Sequence, residues 1–260
     1  MQNFQCPDND LECDGYVRIA NERIAKNRSL IRITNYNPMS MKQDGRWLDI
    51  LRAFKDFQVI GLNGTCTRAK LGQEYTVKSH KHFEVIEWGC LTRELSNCKC
   101  GVAIALSKKR FPRNCWRQIH CPIKKMAGRM GAVRIKKGNL DICFIVFYAH
   151  VEPETGPKRE VQKINSKKCY DELEKFIASL PERCTPIIMT DGNAHVGLNG
   201  EGVYRPNTEY GEYDAQRINY NGELLESLCR RQHLTMENTF WNIGPSYYSA
   251  TSTSLSLIHI

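Results

Sequence analysis

Short apolar stretches separated by polar turns run through this chain. They predict strands where the stretch is brief or alternating, and helices where apolar residues recur at helical spacing. The predicted strands cover 30–37, 59–62, 83–88, 101–107, 132–135, 140–148, 187–189 and 233–240, and the predicted helices cover 46–57, 157–180 and 221–232. Strands outnumber helices, and the helices are apolar on one side only. We therefore predict an α/β (α+β) fold, a four-layer sandwich of two mostly antiparallel β-sheets flanked by helices.

Polar side chains stand at the ends of several predicted strands. Asp191 and Asn193 follow the apolar run 187–189 in a Thr-Asp-Gly-Asn turn. Strand ends are rigid and face solvent, which favours a functional role, while an ordinary chain-reversing turn is the alternative. Asn37 ends the first strand before Pro38, where a turn asparagine is an equally good interpretation.

The strand 140–148 is apolar enough to lie in the centre of a sheet, and Tyr148 and His150 stand at its end. A single histidine in a loop is usually structural or solvated, so His150 indicates no function by itself. The sequence thus places polar side chains after three strands that are far apart along the chain, and it leaves open whether they meet.

The net charge of the chain indicates what kind of partner it binds. The chain of 260 residues carries 37 Lys and Arg against 28 Asp and Glu, a net charge of +9. Much of the excess lies between 108 and 137, which predicts a surface for an anionic partner such as nucleic acid, with a solvated basic face as the alternative.

No apolar run approaches the roughly 20 residues of a membrane span, and the N-terminus is too polar for a secretory signal. We expect an intracellular monomer, nuclear or cytoplasmic, with no membrane partner.

The chain has twelve scattered cysteines. Without a secretory signal, we expect reduced thiols and no disulfide framework. A zinc site built from Cys98, Cys100, Cys115 and Cys121 is the alternative, but their spacing contains no Cys-x2-Cys pair. Cys143 and Cys184 stand in apolar strands, where cysteine usually acts as a small hydrophobic residue.

Six segments, in order between Leu30 and Tyr248, carry a family resemblance. They are Thr34–Asn37, Ile60–Thr65, Gly101–Ile104, Tyr148–His150, Thr190–Gly197, and Asn221–Gly222 with the helix and the Asn-Thr-Phe strand that follow it. Together they resemble the motifs of the endonuclease/exonuclease/phosphatase superfamily, and most of all its branch of non-LTR retrotransposon endonucleases and craniofacial development protein 2-like proteins. Each segment is weak alone, but six in order at suitable spacings indicate this fold.

The resemblance implies hydrolysis of nucleic-acid phosphodiesters, DNA above all, with Mg²⁺ or Mn²⁺ as cofactor. This chemistry needs hard oxygen ligands for the metal and donors for the charge that develops on phosphorus. The resemblance implies that Asp191 activates the attacking water, that Asn193 and Asn37 hold the phosphate and that Tyr148 contacts it. It also implies Asn37 and Asp191 as metal ligands and His150 as a further phosphate-binding residue.

Two departures from the family pattern weaken this expectation. Gly64 stands where the family has its metal-binding glutamate, and no spacing argument puts Glu84 or Glu87 in its place. The late aspartate and the Ser-Asp-His motif of the family have no counterpart after Tyr248.

Residues 255–260 resemble the translation of a sequencing adaptor. We predict a leader over 1–29, loosely ordered or a short helix, a C-terminally truncated domain over 30–254, and an artefact over 255–260.

Three functions are consistent with the sequence. The first is a metal-dependent phosphodiester hydrolase of nucleic acid, degenerate or inactive as given, which Asp191 and Asn193 favour. The second is a non-catalytic module that binds nucleic acid or protein on the same fold, which Gly64 favours. The third is a small-molecule phosphatase, an activity that the resemblance also includes.

Overall fold

A computed structural model describes residues 30–43, 45–70, 73–91, 100–151, 156, 158–196 and 218–236, together with the backbone of 257–258. The chain divides into two units, Met1–Arg32 and Ile33–Ile260. Only residues 30–32 of the first unit are described, so every element below belongs to the second. The predicted leader and residues 237–240 of the last predicted strand lie outside the described residues, and the proposed domain limits stay predictions.

Ten strands and three helices lie in the described part of the chain. The strands are β1 (Ile33–Tyr36), β2 (Val59–Asn63), β3 (Thr76–Ser79), β4 (Phe83–Trp88), β5 (Val102–Ser107), β6 (Trp116–His120), β7 (Met130–Lys137), β8 (Leu140–Tyr148), β9 (Thr185–Asp191) and β10 (Leu257–Ile258). The helices are α1 (Arg46–Ala53), α2 (Lys158–Ala178) and α3 (Tyr220–Gln232). The strand predicted from residue 233 is wrong at its start, because His233 has a left-handed backbone (φ 52°) and caps α3.

The strands form two mixed sheets, ordered β10-β1-β2-β5-β4-β3 and β6-β7-β8-β9. One pair in each sheet is parallel, β1 with β2 and β8 with β9. A parallel pair needs a crossover connection, which contains α1 in the first sheet and α2 in the second. Because parallel neighbours end at the same edge, the loops after β1 and β2 lie together, as do those after β8 and β9.

The helices cover the outer faces of the sheets. Ile50 and Leu51 of α1 pack on the first sheet, and Leu173 of α2 and Leu228 of α3 pack on the second. Between the sheets, the Trp88 indole of β4 is 1% exposed and lies against β7. Phe111 also meets Phe144 of β8 there, with ring centroids 5.6 Å apart. This layering confirms the predicted four-layer sandwich.

Cys90 and Cys100 form a disulfide, so the expectation of reduced thiols is wrong at this pair. The reason is strand register. Trp88 of β4 faces Val102 of β5, and continuing this antiparallel pairing past the strand ends brings residue 90 opposite residue 100, with Cα atoms 6.1 Å apart. A disulfide at Cys100 also removes it from the zinc site considered above, and Cys98 lies outside the described residues.

The tail contributes the short strand β10. Leu257 and Ile258 pair antiparallel with Tyr36 and Asn35 at the edge of the first sheet. The described residues do not test whether this segment belongs to the natural protein, so its origin from an adaptor stays a prediction.

Candidate functional site

The ends of β1, β8 and β9 meet at one edge of the sandwich. Asn35 of β1 donates from Nδ2 to the carbonyl of Thr190 in β9 (2.9 Å), and it accepts a hydrogen bond from Asn63 of β2 (2.8 Å). Asn35 and Asn63 are both buried. The contact of Asn35 with Thr190 joins the two sheets immediately before the strand ends, so the residues that follow lie side by side. The sequence alone could not establish this meeting.

Asp191 is the buried carboxylate of this edge, with 6% of its surface exposed. Its Oδ2 accepts a hydrogen bond from Asn37 Nδ2 at 2.7 Å, and its Oδ1 accepts one from the backbone N–H of Asn193 at 3.4 Å. Burial raises the pKa of the Asp191 carboxyl, while these donors and the charge of Arg129 oppose the rise. A buried carboxylate with a raised pKa is a better proton acceptor than an ordinary aspartate.

Asn37 both makes a turn and contacts Asp191. Its Oδ1 accepts the backbone N–H of Met39 at 2.8 Å, which is the turn predicted as the alternative. This bond orients the amide, so that Nδ2 faces Asp191 across the sheets, and the Asn37 side chain also hydrogen-bonds the hydroxyl of Tyr148. The two interpretations of Asn37 are therefore compatible.

Tyr148 ends β8 with a half-buried ring. Burial and the neighbouring Asp191 carboxylate raise the pKa of its hydroxyl, so the phenol keeps its proton at neutral pH and can act as a donor. The guanidinium carbon of Arg129 lies 5.0 Å from the centroid of the Tyr148 ring. We define the strand-end cluster as Asn37, Arg129, Tyr148, Asp191 and Asn193.

Asn193 supports the cluster from the loop after β9. Its backbone is left-handed (φ 45°), a conformation that asparagine tolerates better than most residues. Its Nδ2 donates to the carbonyl of Ala149 at 3.0 Å, and its own backbone N–H reaches Asp191. The Asp-Gly-Asn turn therefore connects β9 to the loop after β8, in addition to reversing the chain.

The first turn of α3 holds the two loops together, which the sequence did not predict. Asn219 caps the helix and accepts the backbone N–H groups of Gly222 (2.8 Å) and His195 (2.9 Å). The fully buried Asn221 donates to the carbonyls of His150 (2.8 Å) and Asn193 (3.2 Å). A Cβ at Gly222 would overlap the carbonyl of His195. The segment Asn-Tyr-Asn-Gly was a usable signal, because asparagine before a helix is a frequent cap.

Arg129 is the second residue that sequence reasoning missed. It was one of many cations in the basic region 108–137, and only the pairing of β7 with β8 brings it to the cluster. Its Nη1 donates to the carbonyl of Ala149 at 3.1 Å, the same oxygen that accepts Asn193. It supplies a permanent positive charge beside Tyr148.

His150 lies next to this cluster as a neutral imidazole. Burial and then the charge of Arg129 lower its pKa to about 4 from its ordinary value of 6.5. At neutral pH it therefore contributes no positive charge to phosphate binding. The prediction that His150 binds phosphate is not tested by this arrangement.

The lowered pKa of His150 predicts a pH-dependent stability. The unfolded chain binds a proton near pH 6.5 and the folded chain only near pH 4, so protonation favours unfolding between these values. We expect the free energy of unfolding to fall by about 1–2 kcal/mol as pH drops through this window, a value reduced for the partial exposure of the ring. Urea titrations at several pH values measure it, and His150→Gln should remove most of the drop. An equal drop in the variant would contradict the assignment.

Gly64 lies beside the cluster but brings no ligand. Its backbone is left-handed (φ +74°), and a Cβ added there would meet Asn37 Oδ1 at 2.7 Å. A side chain at position 64 would thus point at the Asn37 amide. Glu84 pairs with Arg113 and Glu87 with Lys78, so neither replaces the family's glutamate.

The described residues do not fit a magnesium ion. They contain no group of three or more His, Cys, Asp and Glu that could hold a metal. The cluster offers one carboxylate, Asp191, and both of its oxygens already accept N–H groups. Mg²⁺ takes oxygen ligands in a near-octahedral shell, usually with one or two carboxylates, so Asp191 alone is at the lower limit of what a magnesium site needs.

Comparison with known proteins identifies the fold. No protein-family model and no curated protein match this chain. An AP endonuclease from Leishmania major superposes with a TM-score of 0.50 at 11% identity, over 78% of this chain and 66% of that one. The APE2 catalytic domain from Xenopus laevis gives 0.49 at 14% identity, over 76% and 67%. The endonuclease domain of TRAS1, a telomere-specific non-LTR retrotransposon, gives 0.39 at 14%, over 78% and 71%.

The superposition on the Leishmania protein shows a shared fold, and identity at this level shows the fold alone. This chain spans slightly less than two-thirds of the length of that structure. Among the described residues, none of the three helices is both long and apolar enough to cross a lipid bilayer.

Proposed function

We propose that this chain, whose fold is that of the endonuclease/exonuclease/phosphatase superfamily, binds a phosphodiester of nucleic acid at the strand-end cluster and hydrolyses it slowly. The observation that carries the proposal is the 2.7 Å contact between Asn37 and Asp191, which come from different sheets. It supports a common site for residues 154 positions apart, with Tyr148 in the same network. Membership of the retrotransposon-related branch stays a prediction.

Each residue of the cluster has a role in this proposal. Asp191 accepts a proton from the attacking water, for which its raised pKa is suitable. The Tyr148 hydroxyl donates to a phosphate oxygen, where negative charge develops, and the Asn37 amide holds Asp191 and Tyr148 in place. Asn193 orients Asp191 through its backbone N–H and the loop after β8 through its side chain.

A divalent metal is the part of the family resemblance that the described residues support least. Mg²⁺ or Mn²⁺ would supply charge stabilisation and an activated water in such an enzyme. The described residues lack the carboxylate that Gly64 replaces, so we expect slow hydrolysis. The same observation favours the second candidate function, a module that binds nucleic acid without cleaving it. The net charge of +9 supports an anionic partner in both cases.

Plasmid nicking and DNA binding test this proposal together. The purified chain is incubated with supercoiled plasmid in Mg²⁺, in Mn²⁺ and in EDTA, and its DNA affinity is measured at several salt concentrations. We expect slow nicking, and binding that weakens steeply with salt because several phosphates are contacted. Nicking that persists in Asp191→Ala, purified identically, would identify a contaminating nuclease.

Other outcomes of these assays separate the alternatives. Salt-sensitive binding without cleavage supports the non-catalytic module. Release of phosphate from inositol or lipid phosphates, without DNA binding, supports the phosphatase. Absence of both DNA binding and cleavage contradicts the proposal. A monomer and an intracellular location stay predictions, and light scattering of the purified chain tests the first of them.

A further inference from the structure

Arg129 has donors that the described part of the protein leaves unused. Its Nη1 donates to the Ala149 carbonyl at 3.1 Å. Among the described residues, no carboxylate forms a salt bridge with the guanidinium, and no other acceptor is hydrogen-bonded to it. A guanidinium presents five N–H donors, so most of those of Arg129 have no acceptor among the described residues. By contrast, Arg134 of β7, the strand that begins directly after Arg129, is paired with Asp141 at 2.7 Å.

The surroundings hold this guanidinium in place. The Tyr148 ring lies 5.0 Å from its central carbon, and the backbone N–H of Tyr148 donates to the Arg129 carbonyl at 2.7 Å. The Ala149 carbonyl accepts both Arg129 and Asn193, so the cation is tied to the loop that carries the cluster. An arginine held in this way loses little side-chain entropy when it binds a ligand.

The cluster contains one cation and one carboxylate. Arg129 is the only permanently charged donor among its five residues, and the adjacent imidazole of His150 is neutral at pH 7. A divalent ion has no carboxylate pair among these five residues, whereas a tetrahedral anion can accept from the guanidinium and from the Tyr148 hydroxyl, which the Asn37 amide orients. Arginine pairs with phosphate oxygens through two parallel N–H bonds, for which Arg129 has enough donors without acceptors among the described residues.

We infer that the strand-end cluster is a metal-independent phosphate site, in which the Arg129 guanidinium takes the place of the divalent cation. The inference rests on the proposed function, since it concerns the same site, and it names the group that neutralises the phosphate. The lack of a side chain at Gly64 is consistent with this site. A Cβ built on residue 64 would lie only 2.7 Å from Asn37 Oδ1, so a side chain there would collide with the Asn37 amide.

Titration calorimetry of the full chain with inorganic phosphate tests the inference. The measurement is made in EDTA and repeated in Mg²⁺ for the unaltered protein and for Arg129→Gln, Arg129→Lys and Lys136→Gln. We expect the unaltered protein to bind phosphate equally in EDTA and Mg²⁺. Arg129→Gln should weaken binding about tenfold or more, which corresponds to about 1.4 kcal/mol for one charged contact.

The other two variants separate charge from geometry. Arg129→Lys keeps the charge but loses the paired donors, so its affinity should lie between those of the unaltered protein and Arg129→Gln. Lys136→Gln removes the same charge from the far end of β7 and should change the affinity less than twofold, because solvent and salt largely screen a partly exposed charge at that distance. Thermal melts verify that the variants are folded; if Arg129→Gln does not fold, the Arg129→Lys comparison decides.

Phosphate binding that requires Mg²⁺ would overturn the inference, and so would equal affinity in the unaltered protein and its folded Arg129 variants. Either result, obtained while the chain still binds or nicks DNA, leaves the proposed function standing. Metal-free phosphate binding by a chain that neither binds nor cuts DNA would instead refute the proposed function and keep the anion site.

Discussion

Replacing Asp191 by asparagine is expected to lower the rate of plasmid nicking by about 100- to 10,000-fold, the range that a positioned general base contributes. The substitution keeps the size of the side chain but removes its ability to accept a proton from water. It also places an amide N–H₂ against one of the two donors, Asn37 Nδ2 and the Asn193 N–H, that the carboxylate accepts. Nicking rates of the two proteins at equal concentration measure the effect.

Nucleic-acid affinity provides the control for this substitution. Loss of the Asp191 charge removes a repulsion from the phosphate, so Asp191→Asn should bind DNA more tightly than the unaltered chain. Asp171→Asn is a matched variant, because Asp171 lies on the exposed side of α2 and pairs with Lys167. It should leave both nicking and binding unchanged. A nicking rate of Asp191→Asn within threefold of the unaltered rate would remove Asp191 from the proposed role.

Gly131→Ala is expected to destabilise the fold by about 1–3 kcal/mol, the usual cost of overfilling a packed core. Gly131 lies in β7 against the indole of Trp88, and a Cβ at this position would overlap the indole ring. The indole is 1% exposed and its Nε1 donates to the His120 carbonyl at 3.0 Å, so it cannot turn away without losing that bond. Urea unfolding of both proteins measures the change in free energy.

A double-mutant cycle shows whether Trp88 causes this loss. Trp88→Leu removes the ring and is destabilising by itself, but it leaves room for a methyl group at position 131. In that background Gly131→Ala should cost at least about 1 kcal/mol less than in the unaltered protein, a coupling in the range seen for residues in contact. Equal costs in both backgrounds would mean that the indole is not the obstacle.

Hydrophobic pattern predicted the central strands well, because burial on both faces demands apolar residues at most positions. β2, β4 and β5 consist almost entirely of buried residues, and all three were predicted. The edge strands β3 and β6 were missed, since their residues are half-buried or exposed and show no strong alternation. Their assignment depends on backbone pairing with β4 and β7, which a local pattern does not contain.

The residues of the candidate site also fall into two groups, those that the sequence predicted and those that it did not. Asn37, Tyr148, Asp191 and Asn193 were predicted as site residues because each stands at or just after a strand end, within a segment that resembles a family motif. Arg129 and Asn221 were not, because their importance comes from contacts with loops far away in the chain. Arg129 was one cation among many in a basic region, and Asn221 was one residue of a helix start. Nothing in the local sequence distinguishes a cation beside a phosphate site from one on a solvated face.

The sequence by itself determined the three helices, the central strands, the excess of positive charge, the polar residues at three strand ends and the glycine at position 64. These are properties of a residue and its near neighbours, and burial selects them locally. Only the tertiary structure decided that Asn37 meets Asp191, that Arg129 reaches Tyr148 and that Cys90 faces Cys100. These contacts join residues distant along the chain, and strand register and sheet packing determine them.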